Sequence, residues 1–279
     1  MHGQTELMAE LEIAGQTADD QLDVGALALT LAATAKPERR REPYQRHLKK
    51  MADEVAAYVS GYRSQHSLLL RHEALVQIIH KRYGYVGNEN CFSDVDSANL
   101  MHVIESRSGL PVAMGIIHLH IAMNMGWAAT GIDFPGRFLI RLDTKEGRLI
   151  FDAFEGGNTL GAPDLRNLLK SVVGANAELN ASHYRRAGTR AVLLRLQNNI
   201  KVRLLEAQCT GAALKVLETM VALAPSDSLL WYEAGILNSR LDQVPAAIRA
   251  LENCLKHGSN EQTQYKTSAL LQKLRGRLH

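Results

Sequence analysis

Three cysteines in 279 residues, Cys91, Cys209 and Cys254, are too few and too widely spaced for a disulfide framework, and none lies in a CxxC spacing that would hold zinc. Reduced thiols in a cytoplasmic chain are the expectation. An excess of one charge is also missing: 32 Lys and Arg against 29 Asp and Glu leave a net charge of +3. No basic run interleaved with aromatics offers a nucleic-acid surface. The densest cluster, Lys36 to Arg41, is offset by Glu38 and Glu42 and reads as a solvated helix start. The opening residues, MHGQTELMAELEIAGQ, hold no apolar block of leader length behind a basic flank, which argues against export. One stretch, Leu110 to Ile132, lacks Asp, Glu, Lys and Arg altogether. A membrane span needs about 20 such residues, but Pro111, His118, His120, Asn124 and the Thr130-Gly131 break make this a helix buried in a globular core.

What is present in the first third is helical periodicity. ALALTLAATA from Ala26, YQRHLKKMADEVAAYV from Tyr44 and SLLLRHEALVQIIHKRY from Ser67 each repeat apolar residues at three- and four-residue intervals. Leu48, Met51, Val55 and Val59 form one such core-facing stripe. From Gly84 the texture changes to GYVGNENCFSDVDSANL, a loop in which Asp94 or Asp96 caps the helix SANLMHVIESR. That helix stops at Ser108-Gly109, and Pro111 opens the charge-free one.

After Gly126 the composition turns β-like. AATGIDF, RFLIRL, a turn at DTKEG and RLIFDAF predict a hairpin in which Phe138, Ile140 and Leu142 face one side and Arg137, Leu139 and Arg141 the other. Helices packed on a small antiparallel sheet give an α+β fold. Beyond Thr189 the chain reads helical to its end. Two units register at a period of about 34 residues when Pro225 closes the first, with Trp231, Gly235, Ala247 and Leu251 at the Trp, Gly, Ala and large-apolar positions of a tetratricopeptide repeat. Ala213 and Leu217 match in the first unit, whereas Lys201 stands where a small residue is expected. Two repeats are fewer than the three or so that stand alone, so the tail needs support from the core and from the last helix, beginning near Glu261.

The segments GYVGN at 84–88, SRSGLPVAMGI at 106–116, FPGRFLIR at 134–141 and FDAFEGG at 151–157, followed by helical repeats, resemble the bacterial SirB-type family. That resemblance implies a transglutaminase-like, papain-like core over residues 26–188, an N-terminal extension over 1–25 and a tetratricopeptide-type tail over 189–279. Active transglutaminase-like enzymes carry a cysteine at the start of the central helix, a histidine on the next strand and an aspartate on the one after. The helix N-terminus and the histidine activate the thiol, and the aspartate orients the imidazole. By resemblance these positions fall at Ala113, Arg137 and Asp152.

Only the last is retained. From Leu110 through Met125 there is no Cys, Ser or Thr, and a guanidinium stays protonated and cannot act as a general base. The hairpin, centred on Thr144 to Glu146, brings Arg137 within about one position of Asp152, so an Arg–Asp ion pair in place of the His–Asp pair is expected. Arg137, Arg141, Asp152, Gly156 and Gly157 are the candidates for a remnant binding cleft. Cys91 is the alternative nucleophile, with His102 the nearest candidate base. His118 and His120, two apart on a helix, point to nearly opposite sides and make an awkward metal site. No metal and no cofactor are expected. The expected function is non-catalytic, through protein contacts, with no nucleic acid or membrane as partner. A cysteine hydrolase or acyl-transfer enzyme is the alternative, and a peptide- or small-molecule-binding protein the third reading.

Overall fold

The computed structural model describes residues 2–63 and 67–277. Met1, Leu278 and His279, the outermost ends of the expected extension and tail, lie outside the described residues. The chain forms two units, Asp19–Leu196 and a second one made of the residues up to Ala18 together with those from Gln197 onward.

The first unit is built around the charge-free segment. Helix α6 (Pro111–Asn124) starts with Pro111 in its first turn and buries ten of its residues, from Val112 to Ala122. On one side it meets α2 (Val24–Ala35), α3 (Glu42–Ser60), α4 (Leu68–Leu75) and α5 (Leu100–Ser106). Each of these shows an apolar face, as in the stripe Leu48, Met51, Val55 and Val59 of α3. The helix expected to run unbroken from Ser67 changes at Val76 into a π-helical turn, Val76–Arg82. The extra residue in that turn re-aims the side chains that follow.

On its other side α6 lies against an antiparallel sheet of β1 (Ala128–Phe134), β2 (Arg137–Thr144), β3 (Gly147–Asp152), β4 (Asn158–Thr159) and β5 (Arg186–Ala187), in the order β4-β3-β2-β1-β5. The alternation in β2 is as read. Phe138 and Ile140 face α6, where a Cβ at Gly115 would sit 2.4 Å from the Phe138 ring. Glycine at this position brings helix and sheet into direct contact. Leu139, with Ile132, Phe134 and Ile150, faces the other way and is covered by Leu165 and Leu169 of α7 (Ala162–Val173). The sheet is therefore buried on both faces.

The second unit holds α9 (Thr210–Leu223), α10 (Ser228–Arg240), α11 (Val244–Lys256) and α12 (Glu261–Arg275), together with the last ten residues of α8 (Thr189–Glu206). The boundary expected at Thr189 is the first residue of α8, whose N-terminal N–H groups at Thr189 and Arg190 are capped by Asp19 at 2.9 and 2.7 Å. The units divide inside that helix, between Leu196 and Gln197. Residues 2–16, expected as part of an extension, form α1 (His2–Gln16) and pack on α9, with Gly15 against the Ala222 carbonyl.

The repeat positions all make contacts. Ala247 and Leu251 are fully buried, and Trp231 Nε1 donates to the Pro225 carbonyl at 2.7 Å. Lys201 is buried with its ammonium on Glu233. A Cβ at Gly235 would lie 2.5 Å from Leu251. Helix propensity alone gives Gly235→Ala a gain of about 1 kcal/mol. Overpacking costs about 1–3 kcal/mol and should win, so denaturant titration is expected to show a less stable variant; a stabilised one would contradict this packing.

Candidate functional site

Ala113 is fully buried on the first turn of α6 and offers no group that could attack a carbonyl. Arg137 Nη1 lies 3.1 Å from Asp152 Oδ2 and 3.0 Å from Glu155 Oε1. The pair forms along a diagonal. The hairpin closes on Lys145-Glu146, with Thr144 opposite Gly147. That register carries Asp152 to the level of Leu139, two positions from Arg137 instead of about one. Residues two apart on a strand share a face, which keeps the contact within reach of a long side chain.

Asp152 is nearly fully buried, and its Oδ1 accepts from the backbone N–H of Phe154 at 2.9 Å and of Glu155 at 3.3 Å. Burial nevertheless outweighs these N–H groups and Arg137, and holds the carboxyl above its ordinary value. Gly156 and Gly157 follow in the same turn with φ of +70° and +82°. Arg141 is not part of this group. It is buried on its own Asp143 at 2.9 Å, shared with Arg186, and lines a cavity of about 930 Å3 with Leu68, Ile150 and Tyr184. The five residues expected to form one cleft thus divide between the Arg137–Asp152 turn and this cavity.

Three of the four segments that carry the family resemblance interlock. Val86 N donates to the Arg107 carbonyl at 3.0 Å and Gly87 N to the Phe154 carbonyl at 3.2 Å. Arg107, in the left-handed region at φ +59°, places Nη1 2.7 Å from both Tyr85 Oη and His47 Nε2. Cys91, in a short 3-10 turn here, is buried with its thiol 3.3 Å from Ser108 Oγ. His102 lies by Asp94 at 3.7 Å, and His120 by Asp23 at 3.0 Å.

Sequence reading missed a histidine cluster. His80 Nε2 and His118 Nε2 are 3.1 Å apart, while their Nδ1 atoms contact the Tyr85 and Met114 carbonyls at 2.7 and 2.9 Å. His72 Nε2 contacts the Gly157 carbonyl at 2.7 Å, and the rings of His72 and His118 flank Phe151. The one available signal was the spacing of His72 and His80, about two turns apart on an apolar segment. Among the described residues no three His, Cys, Asp or Glu side chains group to hold a metal.

Residues 42–198 match the transglutaminase-like superfamily, and residues 200–272 a tetratricopeptide repeat family. The chain belongs to the transglutaminase-like superfamily, with a tetratricopeptide repeat region behind that domain. Its relatives include a UPF0162 protein of Xylella fastidiosa, 26% identical over 245 residues that cover 85% of each chain. A UPF0162 protein of Vibrio cholerae is 24% identical over 241 residues, 86% of this chain and 87% of that one. Protein SirB1 of Salmonella typhimurium is 25% identical over 194 residues, 68% and 72%. The SirB-type resemblance read from the four segments holds. No solved structure matches the chain.

Two predictions follow from this geometry. Asp152→Ala strands the Phe154 and Glu155 N–H groups and leaves Arg137 with Glu155 as its one remaining partner of the two. Arg137 is about a third exposed, so the cost should be about 2–3 kcal/mol, below that of breaking a fully buried pair. Asp152→Asn keeps an acceptor and removes a charge that burial disfavours, so its cost should stay under about 1 kcal/mol. Equal losses in denaturant titration at pH 7 would reject this account.

The second concerns acid. Burial pushes His118 down to about 3, with His80 adding to the effect, and burial lowers His80 and His72 as well. A base whose pKa falls on folding binds its proton less tightly folded than unfolded. Its contribution is complete above the ordinary value of about 6.5 and is lost as the pH falls below it. The protein should therefore be less stable at pH 5 than at pH 7.5, and His118→Met should shallow that slope by about one proton; a slope unchanged by the substitution would remove His118 as the cause.

Proposed function

We propose that this chain is a non-catalytic transglutaminase-like protein that acts through protein contacts, as an adaptor, scaffold or regulator in the cytoplasm, with proteins and not nucleic acid as its partners. The observation that carries the reading is the ion pair of Arg137 with Asp152 and Glu155 at the histidine and aspartate positions. The helix-start position adds to it, since its residue is a buried alanine. A guanidinium there neutralises the aspartate but takes no proton from a nucleophile. Among the described residues no helix is long and apolar enough to cross a membrane. The repeat region supports a contact role, because paired helices of this type present surfaces for a peptide or helix. Leu229 on α10 and Tyr265 on α12 are large, exposed apolar residues on that unit.

The reading is tested in two arms. Iodoacetamide at neutral pH should label the exposed Cys209 well before the buried Cys91; fast labelling of Cys91 with loss of a measurable hydrolase or acyl-transfer activity would return the protein to the enzymes. In the second arm, a partner captured near stoichiometrically should rebind the purified chain, and Leu229→Ser with Tyr265→Ser should weaken that binding at least tenfold. Rebinding untouched by this pair and abolished by Arg137→Ala would move the function to the transglutaminase-like domain.

A further inference from the structure

The cavity of about 930 Å3 that holds Arg141 lies against β3 and β4, beside the first residues of α4 and α7, and shares no lining residue with the Arg137–Asp152 turn. Its apolar surface can be reached. Ile150 and Leu165 are buried at its base, Leu68 and Leu160 are half-buried, and Leu69 is 70% exposed at the rim.

The charged side chains that line it are Arg141 and Arg148, and no Asp or Glu does so among the described residues. Arg141 is only 7% exposed, so its hydrogen bonds matter more than those of a surface arginine. Its Nε donates to Asp143 Oδ2 at 2.9 Å, which fixes the plane of the guanidinium. Its two Nη groups have no partner among the described residues, yet neither is sealed from solvent. The free end of the fork is therefore what the cavity meets. Two parallel N–H groups at that end match the two oxygens of a carboxylate.

The surrounding charges leave room for one such group. Asp143 stands opposite Arg148 in the β2–β3 register, but its carboxylate is taken by Arg141 and by Arg186 at 3.2 Å. Arg148 is exposed and without an acidic partner among the described residues. Ile150 is the residue opposite Arg141, which makes Arg141 and Arg148 diagonal neighbours on one face. The remaining acid nearby, Asp164 at the start of α7, accepts from the Gly161 N–H at 2.9 Å. These three arginines and two aspartates leave one positive charge uncompensated. A monocarboxylate matches it, whereas a dicarboxylate or a dianionic phosphate exceeds it.

We propose that this cavity binds a small organic monocarboxylate with an apolar body, the carboxylate on the Nη groups of Arg141 and beside Arg148, the body over Ile150 and Leu165 toward Leu68 and Leu69. The volume suits a ligand of drug size. The proposal holds whether or not the Arg137–Asp152 turn is catalytically silent and whether or not the repeat unit binds a protein.

The test is calorimetric titration of the full chain with 4-phenylbutyrate, 4-phenylbutanol, 4-phenylbutylamine and acetate. Phenylbutyrate should bind saturably and at least about tenfold more tightly than each of the other three, since it alone carries both the anion and the apolar body. Arg148 is exposed, so Arg148→Glu should keep the parent's melting temperature while weakening phenylbutyrate about tenfold or more. Arg141→Lys keeps a cation beside Asp143 but loses the fork, and should weaken phenylbutyrate by about as much in a chain whose melting temperature shows it folded. The proposal is overturned by non-saturable phenylbutyrate binding, by the alcohol, the amine or acetate binding the unaltered chain as tightly, or by an Arg148→Glu variant that titrates like the parent.

Discussion

A helix without a single charged residue has to be covered on every side, and the first unit is organised by that requirement. Four helices cover one flank of α6 and the sheet covers the other. The contact that sets their separation is the Phe138 ring lying on Gly115, where any side chain would hold helix and sheet apart. Burial at roughly 25 cal/mol per Å2 favours this arrangement, and close packing at one glycine determines how near the strands come to the first turn of α6. That nearness is the feature transglutaminase-like enzymes use to bring thiol, imidazole and carboxylate together.

On this framework the Asp152 carboxylate is oriented by two backbone N–H groups, and its partner is a permanent cation that also reaches Glu155. An ion pair of this kind ties the turn after β3 to the start of β2, which makes it a structural element. The segments that carry the family resemblance are likewise accounted for by backbone bonds among 86, 87, 107 and 154, and by the Arg107 guanidinium between Tyr85 and His47. These residues hold the scaffold whether or not a triad sits on it.

The helical unit solves a separate problem. Two repeats bury too little surface to be stable unaided. Within that unit α12 closes one side through Leu271 and Leu274, and α1, drawn from the far end of the sequence, closes another against α9. Lys201, which breaks the small-residue pattern of the first repeat, is accommodated by burying its stem and pairing its ammonium with Glu233. Both α12 and α1 thus add apolar cover to a short repeat array.

Periodicity and composition were enough to read the buried helix from Leu110, the hairpin with its two faces, the repeat positions from Trp231 to Leu251 and the absence of a nucleophile near Ala113. Each depends on residue types at local spacings, and a charge-free run or a missing thiol cannot be altered by folding. The two-position offset of Arg137 from Asp152, the covering of Leu139 by α7, the membership of α1 in the repeat unit and the meeting of His80 with His118 were decided by the tertiary structure. A two-residue turn shifts register, a π-helical turn carries His80 within reach of His118, and residues far apart in sequence become neighbours only when apolar faces find one another. Local pattern determines which face a residue joins; what stands opposite that face is settled by packing across the whole chain.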